Sequence, residues 1–491
     1  MPAPCGRRTL RAVIHIRGEP MKSLRLLLRF LTVGGLVLVL LVPLSMIRGL
    51  IQERTHYRGE AIERVSQSMA GPQQLVGPLR VVPWKEVRRV NAAAQDGRIE
   101  VRAETVEGYL LQAPELFQAR GTIAPDVRRV RLYDVRVFQW QAEVMARFEA
   151  MPVPAVEGRE YGEPYLVVGL ADVRGLVGTS RLRMDGKELE LLPGTGSLSG
   201  RMDGVHAPLP APGWNAVATG VDGGGAVASA RRLPASEVQL EMAIAGTQSL
   251  GIVPVADSNR IELQSGWPHP QFSGRFLPNQ RSIGDDGFRA SWNISSLASA
   301  AQSQVLDPSI ERLTPRAGEV GQGTSVDSVT VALVDPVDVY TQVDRASKYG
   351  ILFVLLTFVG FALFELVKQL RIHPLQYLLV GLALAIFFLL LLGLSEHMAF
   401  WQAYVLAAAA CIGLQFVYLS GVLRGWWRAG AFATMLTALY GALYSLLVSE
   451  DNALVLGAGL LFVVLAVIMV ATRKVDWYQV ASKIGTPAAT P

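Results

Sequence analysis

The chain has 491 residues, enough for two or three domains at roughly 150 residues each, and 18% of them are charged, below the ~25% of an ordinary soluble domain. The deficit falls almost wholly in the C-terminal third, which argues against a simple soluble protein and for a membrane protein with a soluble insert. The formal net charge is +5, but the basic excess sits in the first 29 residues and in short loops between apolar runs, where it orients helices in a bilayer, so no nucleic-acid partner is implied.

Residues 1–29 carry Arg7, Arg8, Arg11, Arg17, Lys22, Arg25 and Arg29 against one acid, Glu19. Phe30 to Ile47 is then free of charge. The run is long for a signal peptide, and Leu44-Ser45-Met46-Ile47-Arg48 offers no small-x-small cleavage site. An uncleaved anchor is expected over 30–51, its N-terminus in the cytoplasm and its outer end bent at Pro43. Met21 opens a stretch, MKSLRLLLRF, that would itself suffice as a start. A start at Met21 is therefore expected, and an intact mass that includes Cys5 would refute it. The two cysteines, Cys5 in the tail and Cys411 inside an apolar run, are not placed to pair.

Residues 52–347 hold no spanning run and read mostly with period two, the mark of strands. Val238, Leu240, Met242 and Ile244 share one face, as do Val329, Val331 and Leu333. Leu182 to Leu189 reads as a hairpin with Asp185-Gly186 as the two-residue turn, because a type I′ turn needs positive φ at both positions. That register sets Leu182 against Leu189. Further strands are expected near Val76–Val82, Arg98–Thr105, Val127–Trp140, Tyr165–Leu176 and Phe288–Asn293. Arg54–Ala70 reads as helix. Gly194–Val227 and Asp307–Ser325 read as loops. A domain of this size holds itself with an apolar core and needs no disulfide.

From Lys348 five apolar runs follow: Tyr349–Leu366, Leu375–Leu394, Met398–Leu423, Ala429–Val448 and Asn452–Thr472. The first is about the ~20 residues a helix needs to cross the hydrocarbon layer. Lys368 and Arg371, Arg424 and Arg428, and Arg473 and Lys474 fall on one side, while Glu396-His397 and Glu450-Asp451 fall on the other. This is the charge bias of cytoplasmic against outer loops. The expected fold is an α-helical membrane bundle of six spans, one before and five after a large, β-rich, mostly antiparallel periplasmic domain. The domains are a cytoplasmic tail (1–29), a first span (30–51), the periplasmic domain (52–347), a five-helix bundle (348–473) and a cytoplasmic tail (474–491). The lipid bilayer is the first expected partner.

Residue patterns with known chemistry are few. No HExxH, GxSxG, P-loop or CxxC occurs, so no catalytic set, cofactor or metal is expected. Glu396, His397, Glu450 and Asp451 gather at outer span ends. They could be solvated loop ends, a docking rim that pairs with Asp344, Arg345 and Lys348, or a divalent-metal or proton site. Contact of Glu450 and Asp451 with Arg345 or Lys348 is one specific expectation. Glu365 is the acid placed furthest inside a span and is expected to pair with Lys368 on the same helix face. Asp172 and Arg174 are read as a structural pair sharing one face of a strand, with Gly175 allowing a bulge or a close backbone approach. His373 before Pro374 suits the start of a helix. Gly421-xxx-Gly425 could let two helices approach.

Several longer motifs occur in order: Asp335-Pro336-Val337-Asp338-Val339-Tyr340, Arg345-Ala346-Ser347-Lys348-Tyr349-Gly350, His373-Pro374-Leu375-Gln376-Tyr377, Leu394-Ser395-Glu396-His397 and Glu450-Asp451-Asn452-Ala453-Leu454. Ala171-Asp172-Val173-Arg174-Gly175-Leu176, Phe272 to Pro278 and Gly287 to Trp292 precede them. On these the chain resembles the CreD family of bacterial inner-membrane proteins over residues 22 to 478. The resemblance implies a role in cell-envelope integrity, under a two-component regulator and linked to colicin tolerance and β-lactam response. It carries no catalytic residue. The expected function is a non-catalytic inner-membrane protein whose periplasmic domain binds an envelope protein or cell-wall component. The alternative is a transporter or flippase using the rim acids, which a cavity at the midplane holding Glu365 or His397 would favour.

Overall fold

The computed structural model describes residues 20–93, 99–210, 231–315, 326–334, 339–368, 373–423, 425–449 and 453–473. They fall into two compact units, one of Met1–Thr55 with Val337–Pro491 and one of His56–Pro336. A single helix, α1 (Pro20–Ser68), belongs to both, and its helical backbone runs unbroken through Pro43.

The larger unit is built of strands. In chain order these are β1 (Gln73–Ala93), β2 (Ile99–Gln112), β3 (Leu116–Val130), β4 (Tyr133–Phe148), β5 (Met151–Val153), β6 (Arg159–Tyr161), β7 (Tyr165–Leu170), β8 (Leu176–Met184), β9 (Lys187–Leu189), β10 (Leu192–Pro193), β11 (Asp203–Pro208), β12 (Arg231–Leu233), β13 (Ser236–Thr247), β14 (Ser249–Ile252), β15 (Ser258–Ser265), β16 (Pro270–Gly274), β17 (Gln280–Gly284), β18 (Gly287–Ser295) and, after the short helix α2 (Ala301–Leu306), β19 (Val329–Leu333). One sheet runs β10-β11-β7-β1-β14-β19-β16, with β2 and β6 also on β1. The other runs β17-β18-β15-β3-β4-β13-β8-β9, and β12 pairs with β5. Among the described residues only β1 with β14 and β3 with β15 pair in parallel, so the sheets are mostly antiparallel.

The alternation of side chains decides what each sheet buries. Val238, Leu240, Met242 and Ile244 on β13 all enter one core, with Phe117, Trp140 and Trp292 from the same sheet and Leu75, Leu166 and Val331 from the other. The two sheets therefore pack face to face. The opposite face of the first sheet is covered as well. Val76, Val81 and Val167 meet Leu198, Met202, Ala301, Val305 and Leu313 in a second core. Strand β7, Tyr-Leu-Val-Val-Gly-Leu, is buried at every position, as a continuous apolar run buried on both faces requires. Arg80 is 2% exposed and has no acid among its hydrogen-bond acceptors, which are Gln112 Oε1, the carbonyls of Glu149 and Pro234, and Ser236 Oγ. Burial pulls its pKa down to about 10, against the pull of Asp185 in the other direction.

Three expectations change here. Val127–Trp140 is not one strand: the chain reverses at Arg131-Leu132 between β3 and β4, with Arg131 at φ 56°. Tyr165–Leu176 is broken at Asp172 by a 3-10 turn over Val173–Gly175. The segment from Gly194 holds strand β11, paired in full with β7, although residues 211–227 of that expected loop lie outside the described residues. The hairpin at Asp185-Gly186 has the expected register, Leu182 opposite Leu189, with φ of 49° and 79°.

The smaller unit is helical: α1 to Thr55, then α3 (Val339–Lys348), α4 (Gly350–Lys368), α5 (Pro374–Ser395), α6 (Phe400–Val422), α7 (Trp426–Val448) and α8 (Ala453–Thr472). Leu40, Leu44, Ile47 and Ile51 recur every three or four residues on α1 and are buried. A Cβ at Gly381 of α5 would collide with Leu40, so that glycine is what lets α1 pack there. Phe353, Phe387, Tyr404 and Tyr440 interlock edge to face, with centroids 4.7–5.3 Å apart. At Gly421, by contrast, nothing lies within 4 Å of a Cβ, so no helix closes on it among the described residues. Among the described residues four helices are long and apolar enough to cross a membrane, within α1, α5, α6 and α7. Helices α3 and α4, bent by 45° at their junction, make a fifth if they count as one span, and Leu454–Val470 is a shorter apolar helix.

Candidate functional site: the rim and the strap

The expected acids and bases that are described lie on α3 and at the end of α5, where side chains of α1 join them. Glu396 caps the C-terminus of α5, where the helix dipole disfavours a negative charge. Its side chain is only 9% exposed, and it is offset by Arg54 of α1 at 3.6 Å and by the Tyr340 hydroxyl at 3.5 Å. His397 faces the carbonyl of Gly393 through Nδ1 at 3.2 Å, so that nitrogen carries the proton and satisfies one of the helix's terminal acceptors. The junction of α3 and α4 leaves carbonyls without helical partners. Arg48 of α1 donates to two of them, Ser347 at 3.1 Å and Lys348 at 3.4 Å. Lys348 pairs along its own helix with Asp344 at 2.7 Å, and Arg345 lies half-buried one residue after Asp344.

The rim thus joins Asp344, Lys348, Glu396 and Tyr340 to two arginines of α1. The expected contact of Glu450 and Asp451 with Arg345 or Lys348 lies outside the described residues. Among the described residues no three His, Cys, Asp or Glu side chains converge as a metal site. Arg48, Arg54 and Tyr340 are the partners that reading the sequence missed. Arg48 and Arg54 follow an apolar run and look like no more than its polar end, while Tyr340 sits inside a motif without recognisable chemistry.

Glu365 meets Tyr377 of α5, whose hydroxyl donates at 2.7 Å, while the side chain of Lys368 lies outside the described residues. Tyr377 is itself held edge-on by Phe358 and Phe361. A cleft between α4, α7 and α8, lined by Leu352, Phe353, Leu443 and Leu460 among others, contains neither Glu365 nor His397. Helix α5 starts as expected, with His373 as its cap and Pro374 in its first turn.

In the larger unit Asp172 and Arg174 do pair, with Nη2 to Oδ2 at 2.6 Å and Nε to Oδ1 at 2.9 Å. They do so at the 3-10 turn and not across a strand face. Asp172 also takes the amide of Gly71 at 3.1 Å, and Arg174 donates to the carbonyls of Ser66 and Gln67 at the C-terminus of α1. The pair is a strap that ends the helix and ties it to the sheet. Burial pushes the Asp172 carboxyl up, but hydrogen bonds from Arg174 and the Gly71 amide outweigh it and hold the pKa below the ordinary value. Gly175 follows because a Cβ there would strike Gln73 Nε2 and the Ala245 carbonyl.

The outer edge of the second sheet is the other exposed feature. Among the described residues strand β17 pairs with β18 alone, from Gln280 opposite Ser291 to Gly284 opposite Gly287. All five of its residues are exposed, and Ile283 is 48% and the preceding Leu277 64% exposed.

The profile of a family described as "Inner membrane protein CreD" matches residues 25–478. The chain is 34% identical over 446 residues to the inner membrane protein CreD of Escherichia coli K12, covering 90% of this chain and 92% of that one. Among solved structures, a likeness to the M1 zinc metallopeptidase of Deinococcus radiodurans has 9% identity, covers 45% of this chain and 41% of that one, and has a TM-score of 0.19. A likeness that slight carries no argument about fold or activity. With nearly its whole length matched and its apolar helices in place, the chain belongs to the CreD family of inner membrane proteins.

Proposed function

We propose that the strand-built unit lies on the periplasmic face and is a non-catalytic binding module for an envelope component, anchored by the helical unit with both termini in the cytoplasm. The reading serves envelope integrity, as the resemblance implies. The alternation of basic and acidic loops along the C-terminal third supports the orientation. The observation that carries the binding role is the open edge at β17. A strand with one neighbour presents unpaired backbone donors and acceptors, which natural sheets otherwise cover or keep short. Strand addition to such an edge is a recurring mode of recognition. The buried Arg80 and Asp172 of this unit, by contrast, make structural hydrogen bonds to backbone and side-chain groups around them.

The test is photo-crosslinking in intact cells, with a photoreactive residue at Ser282 on β17 or at Gln239 on the central strand β13. A discrete adduct from Ser282 and none from Gln239 is expected. Equal adducts at both, or none at either, would refute the reading.

A further inference from the structure

Resting on the binding-module reading, we infer that the β17 edge takes an extended peptide segment rich in acidic side chains. Exposed arginines of the strand-built unit commonly have a carboxylate. Arg120 has Glu143, Arg128 has Asp126, Arg129 has Asp134, Arg147 has Glu115 and Arg260 has Glu262. Around β17 no such pair forms among the described residues, as is also the case at Arg131, Arg181, Arg183 and Arg232 elsewhere in the unit. Arg275, Arg281 and Arg289 are exposed, and none forms an ion pair among the described residues. The register distributes them. Arg281 stands opposite Ala290, and Arg289 stands opposite Ser282 on the other face. Neighbouring strands lie about 4.8 Å apart. The small Ser282 side chain leaves Arg289 a path across β17 to an added strand. Arg281 projects from β17 itself on the opposite face. An added strand would therefore meet guanidinium groups on both its faces, while Leu277 and Ile283 offer it apolar contact.

The same charges argue against a second copy of this chain at the edge. Antiparallel pairing of β17 with itself about Ser282 would set the two Arg281 side chains diagonally on one face, and like charges in neighbouring cross-strand positions are destabilising. Asp285 and Asp286, at the hairpin turn, fix the polarity: the partner's acids belong toward the Arg275 and Arg281 end.

The test uses the full chain in detergent and two fluorescent ten-residue peptides, one alternating valine with glutamate and the other valine with lysine. Binding is read by polarisation. The glutamate peptide should bind at least tenfold more tightly, and the preference should shrink as salt is raised. Arg281→Glu should reduce binding by about tenfold or more with the melting temperature unchanged. Backbone groups alternate along a strand, so whichever of Ser282→Pro and Ile283→Pro removes an N–H on the open side should abolish binding with the melting temperature unchanged, since an edge strand tolerates proline there. Equal binding of the two peptides, no binding of either, or indifference to Arg281→Glu would overturn the inference. An adduct from Ser282 in cells, together with no preference for the glutamate peptide, would leave the binding module standing and refute only its acidic partner.

Discussion

At the scale of single residues, the charges that organise this protein are spent on ending helices. Arg174 and Arg48 both donate to carbonyls that a helix leaves over, and both act at a place where the chain changes direction. Asp172 makes the first of these possible, and its pKa gives a test. Its folded-state value lies below its ordinary one, so the ionised carboxylate favours the fold. That contribution is complete above about pH 4, near the unfolded value, and is lost as pH falls through the lower folded value. Asp172→Asn should cost about 1–3 kcal/mol at neutral pH. The melting difference from the parent should shrink as the pH is taken below 4; a constant difference would show that the charge plays no part. At the rim, Glu396→Gln should lower the melting temperature of the detergent-solubilised protein by removing a partner of Arg54, and the double variant with Arg54→Gln should lose less than the sum of the two single losses. Additive losses would mean that the two do not act as a pair.

Among the elements, what was legible followed from periodicity. The β13 and β19 faces, the Asp185-Gly186 hairpin and the apolar helices all follow from spacing alone. What was hidden had specific causes. The turn at Arg131-Leu132 contains no glycine, asparagine or proline. Nothing in its composition marks an end, so β3 and β4 read as one strand. The break at Asp172 is a side-chain cap, a local competitor of strand pairing that alternation does not register. Strand β11, Asp-Gly-Val-His-Ala-Pro, is too mixed to stand out from the glycine-rich loop around it. The site was legible in part: Asp172 with Arg174, and the rim membership of Glu396 and Lys348, came from the sequence, but the arginines of α1 that complete the rim did not. For packing, Gly381 offers a check. Gly381→Ile should drive Leu40 away and loosen α1 from α5, which proteolysis of the solubilised protein would show as faster cleavage near Arg48. Unchanged cleavage would mean that α1 is held elsewhere.

For the whole molecule, the prediction concerns sidedness. Leu297 is 98% exposed on the strand-built unit. With Cys5 replaced by serine, Leu297→Cys should react with a membrane-impermeant maleimide added to intact spheroplasts, and Cys411, buried in the bundle, should not. Labelling only after lysis would place that unit on the cytoplasmic side and overturn the proposed orientation. One helix stands apart from the rest. No described side chain of α8 is buried, and its chief neighbour is α7, where a Cβ added at Gly457 would lie 3.8 Å from Leu446. Being apolar on every side, it is at ease among lipid tails without protein around it. It is also the last of the described helices to leave the ribosome. The translocon would thus already have released a finished core when α8 arrives, and a chain stopped after Ser449 should still reach the membrane, assemble and resist protease. If that shortened chain is degraded in the cell, then the final helix is a keystone and not a latecomer.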